Sequence, residues 1–268
     1  MKLRMWMLDL AREQSPTYEG LRAWCRLSLD AGYNAIGLYL EHRFAYPSLP
    51  WLAGKGALEP EVVQRLQEEF PGLQIIPFIN LLGHFEGFLY TEEGAQFAEE
   101  TFAGMQANPL HPEFVALCRT IIDDTLAAFS SEIVHIGGDE TWQLGVGAAS
   151  AARVKEAEAD GAKDGKAVLY GEHFGPLARY VLDQGRRPAV WGDMFADHPD
   201  ALALIPAETL IFDWQYFSGP NPPASDHEKV YCPAIQTYNA LWCHLPQSER
   251  NVAEHVAAAA RDGVYGVC

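Results

Sequence analysis

A chain of 268 residues that is 49% hydrophobic and 12% aromatic can bury a large core, either as one barrel or as two modest domains. Its 36 acids against 19 Lys and Arg give a formal net charge of -17, which opposes nucleic acid and anionic membrane surfaces and suits neutral or cationic small substrates. Five Cys, an odd number without close spacing, argue against a disulfide framework and for a reducing compartment.

The opening MKLRMWMLDLAREQ is interrupted by charge too soon to act as a signal peptide, and no apolar run is long enough to span a bilayer, so a cytoplasmic protein is expected. LRMWMLDL is the first short apolar run. Ser15-Pro16 then signals a helix whose apolar positions are Leu21, Trp24, Cys25 and Leu29, and DAGYN turns out of it. NAIGLYL is the second run, followed by a helix opened by Pro60 and carrying Val63, Leu66 and Phe70. QIIPFINLL is the third. Beyond Pro112 comes a helix with Phe114, Leu117, Cys118, Ile121 and Ile122, which leads into EIVHIGG. The Ala- and charge-rich AARVKEAEADGAKDGKA reads as a solvated helix and loop. DQGRRP then turns into RPAVWGDMF, and TLIFDWQYF and VYCPAIQTY follow. A last helix bearing Val252, His255, Val256 and Ala259 precedes GVYGVC.

Eight runs, each apolar on both faces as strands covered on both sides must be, alternate with amphipathic helices. That order predicts one α/β domain over 1–268, a (β/α)8 TIM barrel, ahead of an open doubly wound sheet. Because the eighth run reaches Cys268, the barrel is expected to end at strand eight without its last helix. A homo-oligomer would cover the apolar surface left there.

Chemistry on such a barrel gathers at the C-terminal ends of the strands. The runs end in turn on Asp9 and Arg12, on Glu41 and His42, on Asn80 and His84, and on His135, Asp139 and Glu140. The later ones end on Trp191 and Asp193, on Asp213, Trp214 and Tyr216, and on Tyr238, Asn239 and Trp242. Aromatic rings among carboxylates and amides suit a sugar, whose C–H face stacks on a ring while its hydroxyls need fixed polar partners. His135 lies inside its run and reads as a core histidine.

The hexapeptide His135-Ile136-Gly137-Gly138-Asp139-Glu140 matches the HxGGDE signature of glycoside hydrolase family 20, the β-N-acetylhexosaminidases, and closes the fourth run as that signature does. Around it, MLDLAR, GHFEGF, WGDMF, FDWQYF and IQTYNALW resemble the segments that supply that family's sugar-binding Arg, its His, two pocket tryptophans and a pocket tyrosine. The resemblance implies exo-hydrolysis of a terminal β-linked N-acetylhexosamine, GlcNAc or GalNAc, from glycans or glycoconjugates, with retention and without cofactor or metal. It makes Glu140 the general acid and base and Asp139 the residue that orients the 2-acetamido group. Arg12, Glu41, His84, Trp191, Trp214 and Tyr238 become the substrate contacts. In this family the substrate's own acetamido oxygen replaces an enzyme nucleophile, so adjacent acids need not flank the scissile bond. An ionised Asp139 is then expected to keep Glu140 protonated, and Gly137 and Gly138 to let both acids face one pocket.

Two other classes stay open on the residues alone. A metal-dependent hydrolase or deacetylase would use His84, His135, Asp139 or Glu140 as ligands, without HxH or HExxH spacing to support it. A sugar-binding barrel with weak catalysis is the other.

Overall fold

In the computed structural model, which describes residues 1–12, 15–101, 104–235 and 242–268, eight parallel strands close into a barrel in chain order. They are β1 (Leu3–Asp9), β2 (Ala35–Tyr39), β3 (Gln74–Phe78), β4 (Ile133–His135), β5 (Arg187–Trp191), β6 (Leu210–Trp214), β7 (Lys229–Cys232) and β8 (Gly266–Val267). Each falls within one of the eight apolar runs, except that β7 begins one residue ahead of its run, at Lys229. The two-residue β8 completes the cylinder by pairing with both neighbours, Leu3 opposite Gly266 on one side and Val230 opposite Gly266 on the other.

Alternate strand residues divide between two cores, as the period of a strand requires. Leu3 and Met5, Ile76 and Phe78, Ile133, Ala189 and Trp191, Leu210 and Phe212, and Val230 and Cys232 fill the barrel interior. Ile36 and Leu38, Ile75, Val134, Val190 and Ile211 face outward under the helices. Burying each interior aromatic contributes about 1.5 to 3 kcal/mol relative to leaving it exposed. Gly37 makes room for them: a Cβ there would stand 2.6 Å from the Phe78 ring and 2.8 Å from Cε of Met5.

The covering helices are α1 (Tyr18–Asp30), α2 (Pro60–Glu69), the single turn α3 (Glu86–Leu89), α4 (Phe114–Ala128), α5 (Ala148–Ala159), α6 (Gly165–Asp183), the single turn α7 (Met194–Asp197) and α8 (Leu245–Asp262). None of the described helices is long and apolar enough to cross a membrane. Helix α1 is capped by Thr17, whose hydroxyl accepts the Gly20 N–H at 3.1 Å. Its buried stripe is Leu21, Cys25 and Ser28, so the expected inward positions Trp24 and Leu29 instead stand outward, each 38% exposed. Helix α8 departs in the same way. It buries Ser248, Asn251 and His255 and turns Val252 and Val256 out, because the Asn251 amide must satisfy the loop beneath it. Asn251 donates to the carbonyls of Gln215 at 2.8 Å and Ser218 at 2.9 Å and accepts the Ala234 N–H at 2.9 Å.

Helix α6 is the one long element the hydrophobic pattern did not announce. It holds three glycines and Pro176, residues that normally break helices, yet it is the most deeply buried of the set. Its glycines admit close neighbours: a Cβ on Gly175 would stand 2.5 Å from the Leu204 carbonyl oxygen. Asp164 caps it, accepting the N–H groups of Lys166 and Ala167 at 2.9 and 3.0 Å.

Candidate active site

The chain bends sharply as it leaves β4. Gly137 and Gly138 take φ values of 81° and 102°, conformations that side chains rarely adopt, and the turn ends with Glu140 at φ 48°. A Cβ on Gly137 would lie 2.7 Å from Oδ1 of Asn80, and one on Gly138 would strike the Tyr170 hydroxyl. That hydroxyl, held on α6, donates to the Gly138 carbonyl at 2.8 Å. The bend swings both acids to one side of the rim, where they meet a single nitrogen. Nε2 of His84 is 3.0 Å from Oε2 of Glu140 and 3.4 Å from Oδ2 of Asp139.

His84 itself sits at φ 49°, just beyond β3, and its Nδ1 lies 3.9 Å from Oε1 of Glu86. Burial opposes its charge, but the close contact with Glu140, the carboxylate of Glu86 and the nearby Asp139 and Glu41 outweigh it and raise the imidazolium to about 11. The ring is therefore a fixed cation at neutral pH. Burial pushes the Asp139 carboxyl up to about 7, against the pull of that cation. Burial thus works against the ionised Asp139 that the resemblance implies. One of its oxygens, Oδ1, has no hydrogen-bond partner.

Arg12 and Glu41 build the neighbouring wall. Glu41, at φ 42° and 2% exposed, receives Nη1 of the half-exposed Arg12 at 3.1 Å, and Arg12 also lies 3.8 Å from Asp9. Burial first, then the charge of Glu86, raises the Glu41 carboxyl to about 7 although Arg12 opposes the rise. Tyr39 and Asn80 close the floor, with the Asn80 amide donating to the tyrosine oxygen at 2.6 Å.

On the opposite wall Asp193 accepts two bonds, the Glu140 backbone N–H at 2.9 Å and Nε1 of Trp214 at 3.3 Å. Burial raises the Asp193 carboxyl to about 6 against those bonds. The half-buried Trp214 ring packs on Tyr216 at 4.9 Å between centroids.

A sequence model of the glycosyl hydrolase family 20 catalytic domain matches residues 71–260. The chain belongs to glycosyl hydrolase family 20. Human Hexosaminidase D is 30% identical over 226 residues, which cover 80% of this chain and 45% of the human protein. Bovine Hexosaminidase D is 27% identical over 175 residues, 63% of this chain and 49% of its own. The chain spans about half the length of the curated relatives it matches. An inactive mutant of the GH20 exo-β-N-acetylglucosaminidase from Vibrio harveyi superposes with a TM-score of 0.73 at 19% identity, covering 99% of this chain and 49% of that one. The β-N-acetylhexosaminidase from Bacteroides fragilis gives 0.64 at 17% identity, covering 95% and 49%. At identities this low the likeness establishes the fold.

The matched stretch of the family 20 domain carries His84, Asp139, Glu140, Trp191 and Trp214, while Arg12 and Glu41 precede it. Structure brings Arg12, Glu41, His84, Asp139, Glu140 and Trp214 to one rim. Trp191 sits lower. Only 5% exposed, it lies inside the barrel with its ring 4.3 Å from that of His135 and 5.9 Å from Phe212. His135 is buried there as expected, stacked on Phe78, kept neutral by burial, and accepting the Gly137 N–H on Nδ1 at 3.1 Å. It thus braces the glycine turn. Among the described residues no three His, Cys, Asp or Glu side chains are arranged to hold a metal ion. Tyr238 lies outside the described residues. Glu86 and the pairing role of Asp193 are not evident in the sequence pattern; Glu86 has one signal, its place two residues beyond His84 in the same loop.

Gly138→Ala tests the turn. The added methyl meets Tyr170 in a backbone conformation that favours glycine, so stability should fall by about 1 to 3 kcal/mol in urea denaturation, with activity lost further because both acids are displaced.

Proposed function

We propose that this family 20 domain hydrolyses terminal β-linked N-acetylhexosamine, GlcNAc or GalNAc, from glycans or glycoconjugates by a substrate-assisted, retaining route. The observation that carries this reading is the convergence of Asp139 and Glu140 on one His84 nitrogen. Carboxylates sharing a single imidazole lie on the same side of a substrate. They are poorly placed to work as acid and nucleophile from opposite faces of the sugar, and well placed for a reaction in which the substrate supplies the nucleophile.

In the first step Glu140 gives its proton to the glycosidic oxygen as the 2-acetamido carbonyl oxygen attacks the anomeric carbon and the aglycone leaves as an alcohol. Asp139, ionised, holds the acetamido N–H and offsets the positive charge that develops on the oxazolinium ring. In the second step Glu140 takes a proton from water, whose oxygen reopens the ring at the anomeric carbon and restores the starting configuration. His84, a cation in contact with both acids, holds them in register. Arg12, tied to Glu41, grips hydroxyls away from the scissile bond. Trp214 walls the acetamido pocket, Trp191 supports it from below through His135, and Tyr238 is assigned to the acetamido oxygen by resemblance.

Release of 4-nitrophenol from the N-acetyl-β-glucosaminide and N-acetyl-β-galactosaminide, with and without EDTA, tests the proposal. Turnover insensitive to EDTA and absent with the β-glucoside that lacks the acetamido group supports it. EDTA-sensitive turnover would favour the metal-dependent class, and binding without turnover the sugar-binding barrel.

A further inference from the structure

We propose that Asp193 is a positioning residue for Glu140, a double acceptor that ties the backbone of the acid to the indole of the pocket wall. The inference rests on the reading of Glu140 as general acid. Three features carry it. Glu140 is held at φ 48°, at the end of a turn whose glycines are also left-handed, so its side chain depends on whatever pins its backbone. The pin is the 2.9 Å bond from its N–H to Oδ2 of Asp193. The other carboxylate oxygen, Oδ1, takes Nε1 of Trp214 at 3.3 Å, so each oxygen is matched to one donor from a different strand end.

Only a carboxylate can serve this arrangement. Both partners are donors, and an asparagine presents one acceptor and one NH2, so it would face either the Glu140 N–H or the indole N–H with another donor. Asp193 itself is anchored by neighbours that cannot follow such a rearrangement. Gly192 just before it donates its N–H to the Phe212 carbonyl at 2.8 Å, and a Cβ on that glycine would meet Ile211 at 3.1 Å. Wall and acid therefore move together. A substrate group seated against Trp214 sets the position of the proton donor through two hydrogen bonds.

The test compares leaving groups. Asp193→Asn should lower kcat/KM about 10²-fold for a disaccharide or alkyl aglycone, which needs the acid, and less than about 10-fold for the 4-nitrophenyl aglycone, which leaves with little help. Trp214→Phe keeps a ring but removes the indole donor. It should cause a smaller loss of the same leaving-group dependence, and its effect should shrink in the Asp193→Asn background. If Asp193→Asn misfolds by circular dichroism, Trp214→Phe alone decides through that dependence. Equal losses for both leaving groups would overturn the clamp, since a merely structural role reduces both alike. Glu140→Gln separates the two layers. Strong leaving-group dependence there, with none at Asp193, refutes the clamp alone; none at Glu140 refutes the assignment of the acid.

Discussion

Glu140→Gln should lower turnover of an alkyl or sugar aglycone by about 10² to 10⁴, the range of general acid catalysis, which corresponds to about 3 to 5 kcal/mol of barrier. The substitution is close to isosteric, and a glutamine oxygen can still accept the His84 N–H now directed at Oε2 from 3.0 Å. The backbone bond to Asp193 is untouched, so the fold and the turn at φ 48° should survive. What disappears is the transferable proton. Loss should accordingly be steep for poor leaving groups and shallow in the glycosylation of 4-nitrophenyl substrates. Step two of the proposed mechanism, in which Glu140 acts as base on water, should then limit the aryl substrates and give a burst of nitrophenol in rapid-mixing measurements. Wild-type rates with a disaccharide would refute the role of Glu140.

Much of this architecture was legible before any coordinates. Eight apolar runs gave eight strands because parallel strands buried on both faces read as short continuous runs, a pattern that survives without neighbours being known. The HxGGDE segment announced its turn for a similarly local reason, since paired glycines ahead of paired acids imply a backbone that departs from the strand, and φ values of 81° and 102° are that departure. Helix α6 was not legible. Its glycines serve tertiary contacts with Leu204, and local propensity counts them against a helix. The role of Asp193 was hidden because it depends on a partner from another strand end, the Glu140 N–H, and that of Glu86 because nearness in one loop does not fix which way its carboxylate faces His84. The depth of Trp191 was hidden too: a tryptophan closing a strand can rise to the rim or sink beneath it, and His135 decides by offering a ring 4.3 Å away inside the barrel.

Asp139→Asn should abolish most activity and yet stabilise the protein above neutral pH. On the proposed mechanism, loss of the negative charge opposite the oxazolinium should lower kcat by about 10² to 10³, comparable to removing one preorganised electrostatic stabiliser. Stability moves the other way. Burial raises the Asp139 carboxyl from its ordinary 3.8 to about 7, so between those values the unfolded chain is ionised while the folded chain holds a proton. Folding then takes up a proton, stability declines as pH rises through that window, and the deficit is complete above about 7. Asparagine has no charge to desolvate. The variant should therefore show a higher urea midpoint than the wild type near pH 8, with the difference vanishing towards pH 4. His84 acts with the opposite sign. Held at about 11 against an ordinary 6.5, it contributes fully below 6.5 and loses that contribution only as the pH climbs towards 11, so it does not mask the Asp139 effect near pH 8. A wild type more stable than Asp139→Asn at that pH would refute the buried-carboxylate account. The same shift bears on catalysis: the proposed mechanism requires Asp139 ionised, so kcat/KM should rise through an acid limb near 7. Among the described residues three non-glycine side chains stand on left-handed backbone, Glu41, His84 and Glu140, and all follow strand ends on the rim that carries this carboxyl. Strain and an unfavourable charge are concentrated at one rim and offset by the packed barrel beneath; on the proposed mechanism that charge serves the substrate at a cost to the stability of the fold.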